Sequence, residues 1–239
     1  MKSEICKTSP RVAAFIFSLT QLGNVLGQGT FQNMNFEQAN VPVIPAGQFG
    51  GSVSSLDAVP GWITYYGTNA TTQVLHNNNT FGAVNISIIG PNWNVFPVLQ
   101  GSYSVFLQSG LVGFDPSTSA SIAQTGVIPI SALSIQLLAA IQASASDPNQ
   151  LIVSIGGQNI PLVALSTTPN YTVYGGDISG FSGQTRELRI GSFPSADDPY
   201  HYFEIDNILF SNQPIPEPGA GTIFLFGLAA LAISKSCRR

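Results

Sequence analysis

Short apolar segments, rich in β-branched and aromatic residues, alternate with Gly, Asn and Pro turn signals along the middle of the chain. In residues 102–108 the period is two: Tyr103, Val105 and Leu107 fall on one face of an extended strand, with mainly polar residues opposite. Many short strands at close spacing are typical of an antiparallel sandwich or barrel. The pattern therefore predicts an all-β domain.

Residues 202–210 predict a further strand, one that is buried on both sides near its end. A strict period of two places Phe203, Ile205 and Asn207 on one face of this strand. The opposite face is then formed by Tyr202, Glu204, Asp206 and Ile208. We expect this segment to be the last strand of the domain.

Residues 128–144, IPISALSIQLLAAIQAS, fit two interpretations. As a strand, the segment has an apolar face of alternate residues from Leu133 to Ile141; as a helix, it has an apolar stripe that begins at Ile130. Pro129 is compatible with either. The strand is favoured, because the charged residues that would line a helix's solvent face are missing.

The first 27 residues have the layout of a secretory signal peptide: a basic start, an apolar run and small residues at the end. The alternative is an amphipathic first helix of the fold. No polar face interrupts the run VAAFIFSL, which favours the signal peptide.

An apolar segment, residues 219–234, lies close to the other end of the chain. As a helix it would be about 24 Å long, slightly shorter than a membrane core of roughly 30 Å. The helix is followed by basic residues whose long side chains can reach the membrane interface and make up the difference, namely Lys235, Arg238 and Arg239. Their positive charge predicts that this end of the chain stays cytoplasmic. A single transmembrane helix is therefore expected, and a permanent tail anchor would have the same orientation.

These patterns divide the chain into four parts. They are a signal peptide (1–27), an antiparallel β-sandwich or barrel domain (28–212), a linker (213–218), and a C-terminal helix with a basic tail (219–239).

The charge and cysteine content of the middle of the chain exclude several classes of function. Between residues 28 and 214 there are two arginines and ten acidic residues, a net charge of −8, so nucleic-acid binding is disfavoured. Cys6 and Cys237 both lie in the terminal segments. The domain therefore has neither a disulfide framework, nor a thiol nucleophile, nor a cysteine-ligated zinc site.

The C-terminal sequence IPEPGAG, followed by the apolar segment and KSCRR, resembles the PEP-CTERM sorting signal of exported bacterial proteins. Pro216, Glu217 and Pro218 match the motif. The resemblance implies recognition and cleavage by an exosortase, a membrane-embedded processing enzyme, after transient anchoring in the cytoplasmic membrane. It also implies that the protein belongs to the cell envelope, the cell surface or the extracellular matrix.

Residues 30–212 resemble the galactose-binding-like jelly rolls and carbohydrate-binding modules. FQNMNFEQA near the start and YFEIDNILFS at the end carry this resemblance, together with the segments between them. It implies a structural Ca²⁺ held by Glu37 and Asp206, with backbone carbonyls near Asn33 and Asn35 as further ligands. The alternative is that both carboxylates are ordinary edge or turn residues, solvated or bonded to backbone N–H groups.

Aromatic residues provide candidate ligand-binding positions, because a flat ring can cover the apolar face of a sugar. Trp62, Trp93 and Tyr65, near Tyr66 and His76, could form such a platform. Trp62 follows VPG and precedes an alternating strand, which favours a core position. Trp93 lies among turn residues, where it could bind a ligand or pack on the surface.

No catalytic group is expected. Asp197, Asp198, His201 and Glu204 lie close together in sequence, and paired carboxylates serve glycosidases, but SADDPYH is first of all a turn sequence. The family resemblance thus implies a non-enzymatic surface or matrix protein whose sandwich contacts exopolysaccharide. The alternatives are a structural surface protein acting through protein–protein contacts and a diverged hydrolase.

Overall fold

The computed structural model describes residues 28–112, 115–141, 148–195 and 200–215. The strands in these residues are β1 (Ser52–Ser54), β2 (Ile63–Tyr66), β3 (Asn69–Thr71), β4 (Gln73–His76), β5 (Asn85–Ile89), β6 (Ser104–Gln108), β7 (Gly110–Val112), β8 (Asp115–Thr118), β9 (Ala120–Val127), β10 (Ser134–Ile141), β11 (Leu151–Ile155), β12 (Gln158–Ile160), β13 (Val163–Thr167), β14 (Thr172–Asp177), β15 (Thr185–Ser192) and β16 (Tyr202–Ser211). Helical structure in the same residues comprises α1 (Ser55–Ala58) and two 3₁₀ turns, Pro148–Gln150 and Ser179–Phe181.

The strands form two main sheets, which confirms the expected all-β sandwich. The larger sheet has the order β1-β4-β5-β6-β16-β10-β14-β13, and the smaller one has the order β12-β11-β15-β9-β2-β3. The pairing of β4 with β5 is parallel, and the other pairings in these sheets are antiparallel. The ambiguous segment at residues 128–144 contains β10, a central strand of the larger sheet, so the strand interpretation is confirmed.

The core lies between the two sheets, because alternate residues of each strand point inward. On β15, Leu188 and Ile190 are buried in it, while Arg189 between them faces outward. Other strands contribute Ile86, Ile88, Ile122, Leu137, Val153 and Phe203. The outer face of the smaller sheet is mixed, since it carries the exposed Ile63 as well as Arg189.

A β-bulge interrupts β16 at Asn207. The register against β10 shifts there, so Asn207 and Ile208 together oppose Leu137, and Asn207 has a positive φ of 44°. The inward face consequently continues with Ile208 and Phe210, both fully buried. The strict alternation expected for residues 202–210 is therefore wrong after Asp206, since it placed Asn207 inward and Ile208 outward.

Residues 91–103 fold over the outer face of the larger sheet. Phe96 stacks on Phe106 of β6 with ring centroids 4.9 Å apart, and Trp93 packs edge-on against Phe96 at 5.2 Å. Leu99 packs in the same way against Leu138 of β10. Strand β6 is buried on both faces as a result.

The sequence features assigned to targeting lie outside the described residues. They are the signal peptide (1–27), the motif Pro216, Glu217 and Pro218, the apolar segment 219–234, and the basic residues Lys235, Arg238 and Arg239. Within the part of the chain that the structure describes, no helix is long and apolar enough to cross a membrane.

Candidate functional site

The structure buries two of the three aromatic residues predicted to bind ligand. Trp62 is 2% exposed, packs against Phe36, and donates its indole N–H to the Asn33 carbonyl at 3.0 Å. Trp93 is 7% exposed because residues 91–103, to which it belongs, fold over the larger sheet. Trp62 is thus a core residue, and neither indole presents a face to a ligand because both are packed against other side chains.

Tyr65 remains half-buried on the outer face of the smaller sheet. The guanidinium carbon of Arg189 lies 4.1 Å from the centroid of its ring, a cation–π contact. Arg189 Nε bonds to Glu187 Oε1 at 3.0 Å, and Nη1 donates to Ser121 Oγ at 3.2 Å. We call Tyr65, Arg189 and Glu187 the Tyr65 platform.

Strand register builds this platform. Tyr65 lies opposite Ser121 across β2 and β9, and Ser121 lies opposite Gly191 across β9 and β15. Ser121 and Gly191 are small, so the Arg189 side chain extends over them to the Tyr65 ring. A Cβ at Gly191 would approach Ser121 Cβ to 2.7 Å and the Phe193 ring to 2.9 Å, so this position has no room for a side chain.

Glu37 and Asp206 both grip the turn at residues 99–104. Glu37 Oε1 accepts hydrogen bonds from the backbone N–H groups of Ser102 and Tyr103, at 2.8 and 3.2 Å. Gly101, which directly precedes Ser102, has a positive φ of 67°, and a Cβ there would clash with the Glu37 carboxylate. We call Glu37, Asp206 and this turn the carboxylate clamp.

Asp206 is the buried half of the carboxylate clamp. Its Oδ2 accepts from Gln100 N at 3.0 Å and from Ser104 Oγ at 3.2 Å, and its Oδ1 accepts from Asn207 N at 2.6 Å. Burial raises the pKa of Asp206 to about 7, the negative charge of Glu37 adds to the rise, and the three hydrogen bonds oppose it. A carboxyl group that changes charge near neutral pH therefore holds the turn.

This geometry matches the alternative to the Ca²⁺ site, because N–H and O–H donors take the oxygens that the ion would need. Glu37 and Asp206 use three of their four oxygens in this way, and the Asn33 carbonyl accepts from Trp62. Glu37 Oε2 and the Asn35 carbonyl remain, whereas Ca²⁺ takes six to eight oxygens. The described residues also contain no cluster of three metal-ligating side chains. The hydrogen bonds of the carboxylate clamp thus favour the alternative, and the Ca²⁺ site stays a prediction.

The cluster considered for catalysis is divided. Asp197 and Asp198 fall outside the described residues, whereas His201 and Glu204 are buried. The backbone N–H of His201 donates to Ser109 Oγ at 3.0 Å, which ties this part of the chain to the neighbouring strand. The expectation that the protein is not an enzyme stays a prediction.

A depression of about 440 Å³, which sequence reasoning missed, lies beside the bulge in β16. Its lining consists of six carboxamide residues and two apolar ones, namely Gln28, Gln32, Asn33, Asn35, Gln38 and Asn207 with Phe31 and Met34. We call it the amide depression. The density of Asn and Gln in residues 28–38 is the signal that could have located it.

No protein-family model matches the chain, and no curated protein matches it. Three solved structures show low similarity. A CBM61 module, TmCBM61, in complex with β-1,4-galactotriose has a TM-score of 0.39 at 12% identity, covering 77% of this chain and 98% of that one. The K1 cleaved adhesin domain of Lys-gingipain from Porphyromonas gingivalis W83 has a TM-score of 0.37 at 11% identity, covering 71% and 100%.

The enzymatically active domain of tailspike protein 4 from bacteriophage CBA120 has a TM-score of 0.35 at 17% identity, covering 63% of this chain and 19% of that one. These similarities are too low to assign a ligand. The assignment therefore depends on the contacts of this chain's own residues.

Proposed function

We propose that this protein is an exported, non-enzymatic component of the cell surface or extracellular matrix, and that its sandwich contacts glycan through the Tyr65 platform. The observation that supports this most directly is the grouping of Tyr65, Arg189 and Glu187 on an outer sheet face. The PEP-CTERM-like C-terminus supports the export and sorting part of the proposal.

The platform combines three groups that suit a chain of hydroxyls. An arginine presents several N–H donors in a planar fork, and a carboxylate accepts two hydrogen bonds side by side. The tyrosine adds an apolar ring and a phenolic hydroxyl. Arg189 and Glu187 already neutralise each other, so the platform favours a neutral glycan segment over a strongly charged one.

Binding to polysaccharide extracted from the producing organism's matrix tests the glycan part. The full chain, kept in a polyoxyethylene detergent that carries no sugar head group, should bind saturably. Tyr65→Ala should weaken binding about tenfold, equivalent to roughly 1.4 kcal/mol. Tyr171→Ala is the matched control, since Tyr171 is equally half-buried but packs against the larger sheet. Equal binding by both variants, or no binding by the native chain, would remove this proposal.

Cell fractionation tests the sorting part. In the producing organism, Glu217→Ala should leave uncleaved protein in the cytoplasmic membrane, because it changes the central residue of the motif that the exosortase-type enzyme would recognise. Gln213→Ala, in the same linker, is the control. Normal release of the Glu217→Ala protein would argue against a PEP-CTERM signal.

One observation favours the structural alternative. Phe49 is largely exposed and Phe81 fully exposed, on two loops joined by the Asn78 Nδ2 hydrogen bond to the Gly50 carbonyl. Exposed aromatic rings on neighbouring loops are typical of protein-contact surfaces. If the native chain binds no glycan but its self-association falls on Phe81→Ser, the structural role replaces the glycan role.

A further inference from the structure

The amide depression is built by the bulge in β16. Ile208 N–H donates to the Met34 carbonyl at 2.9 Å, and Gln28 Nε2 donates to the Ile208 carbonyl at 3.4 Å. The segment from Gln28 to Met34 is thus held at both ends against one residue of the last strand, Ile208. Asn207, displaced from the ladder by the bulge, lines the same depression.

A buried glutamine fixes the backbone on the other side. The carboxamide of Gln124 accepts from Gln32 N–H and donates to the Gln32 carbonyl at 3.0 Å. In the same way, the Asn33 side chain accepts from Gln38 N–H at 3.0 Å and donates to the Pro60 carbonyl at 3.1 Å. These bonds set the positions from which the side chains of Gln32 and Gln38 project.

Backbone strain is concentrated around the depression. Five non-glycine residues of the described chain have positive φ, and three of them are Asn33 (49°), Phe36 (58°) and Asn207 (44°). Such conformations cost free energy and persist where the surroundings impose them, which happens often at binding sites. For Phe36 the cost is not reduced by a short polar side chain, as it is for asparagine.

Most of the carboxamides are available to a ligand. Among the described residues, the side chains of Gln32, Asn35, Gln38 and Asn207 make no hydrogen bond, and Gln28 Oε1 is a buried acceptor without a donor. A buried acceptor left unpaired carries a desolvation cost. A ligand hydroxyl that donated a hydrogen bond to Gln28 Oε1 would remove this cost, which favours binding of a ligand in the depression.

We propose that the amide depression binds neutral, hydroxyl-rich carbohydrate at a site separate from the Tyr65 platform. Each carboxamide offers a donor pair and an acceptor, which complements the adjacent hydroxyls of a sugar ring. Phe31 and Met34, which are almost fully buried, close the base of the depression. No charged residue lines the depression, so an ionic ligand finds no counter-charge.

Saturation-transfer NMR on the full chain, in the same sugar-free detergent, tests this site with lactose, maltose, cellobiose and galacturonic acid as separate probes. At least one neutral disaccharide should give a signal, and galacturonic acid should give none. An acetylated, amidated tetra-alanine peptide is a further probe, since carboxamides also bind peptide groups. A signal from the peptide or the acid alone would overturn the proposal.

Asn207→Gly is the decisive variant. Glycine adopts positive φ without strain, so the bulge is retained while the carboxamide is lost. Affinity for the disaccharide should fall about tenfold, and Asn35→Ala, which removes an exposed carboxamide, should act in the same direction. Asn170→Ala, an exposed amide outside the depression, is the control. An unchanged signal in both variants of the depression would refute the site.

The proposals for the two sites can be tested independently of each other. Tyr65→Ala should leave disaccharide binding at the depression unchanged, and Asn207→Gly should leave Tyr65-dependent polysaccharide binding unchanged. Loss of both kinds of binding in Tyr65→Ala alone would assign all glycan contact to the platform and overturn the depression as a separate site.

Discussion

Replacing Asp206 by asparagine should remove the contribution of a buried carboxyl group to the dependence of stability on pH between about pH 4 and about pH 7. Asp206 is 1% exposed, and burial raises its pKa from 3.8 to about 7 in the folded chain. Between these values the unfolded chain has released the proton while the folded chain still holds it. Unfolding is therefore favoured progressively as the pH rises.

The magnitude follows from the size of the shift. A rise of about three pKa units, at 1.36 kcal/mol per unit, corresponds to about 4 kcal/mol. This stabilisation is fully present below pH 3.8 and has disappeared above about pH 7. Asp206→Asn cannot titrate, so the free energy of unfolding of the native chain minus that of the variant should fall by about 4 kcal/mol across the range.

Urea unfolding at several pH values measures this difference on residues 28–215, which contain both sheets and the whole described core. The other titrating groups cancel in the subtraction. Ile190→Val, in the opposite sheet, is the control: it should lower stability by about 0.5–1.5 kcal/mol by the same amount at every pH. If the curve of Asp206→Asn also runs parallel to that of the native chain, the reasoning about the buried carboxyl group is wrong.

Three further predictions concern stability. Phe36→Ala should cost about 3–5 kcal/mol because Phe36 is fully buried, whereas Phe81→Ala should change stability by less than about 0.5 kcal/mol because Phe81 is fully exposed; similar costs in urea unfolding would contradict this placement of the core. Gly126→Ala should cost about 1–3 kcal/mol, because the new methyl group would lie 2.9–3.0 Å from the Phe31 ring, and a neutral effect would show that the ring moves freely. Ca²⁺ at about 1 mM should leave the melting temperature unchanged, since hydrogen-bond donors occupy the carboxylate clamp; a clear rise, reversed by a chelator, would restore the Ca²⁺ interpretation.

Much of the fold follows from local sequence. The period of two placed Val105 and Leu107 on one face of β6, and the lack of charged residues favoured a strand within residues 128–144, where the structure has β10. These features depend on residues that are neighbours in the chain, so a local pattern contains them. The sequence reasoning failed at Asn207, because a bulge is a property of the pairing between two strands and neither strand reveals it alone.

The placement of the aromatic rings depended on contacts between distant parts of the chain. Trp62 is buried because Asn33 and Phe36 lie against it, and Trp93 because residues 91–103 fold onto Phe106. Tyr65 remains accessible because small residues of β9 and β15 lie beside it. Composition identifies all three rings as candidates but does not establish which of them remains exposed.

The sequence is sufficient for the β class, the acidic charge that disfavours nucleic acid, and the absence of cysteine from the domain, because these depend only on composition and local periodicity. It also supplies the whole basis for the predicted export and sorting. The tertiary structure alone decided that Asp206 is a buried carboxyl group in a turn clamp, and that carboxamides from both ends of the domain meet in one depression. Asp206 becomes buried, and the carboxamides come together, only when segments far apart in sequence pack against each other. The desolvation that raises the pKa of Asp206 therefore depends on the tertiary structure.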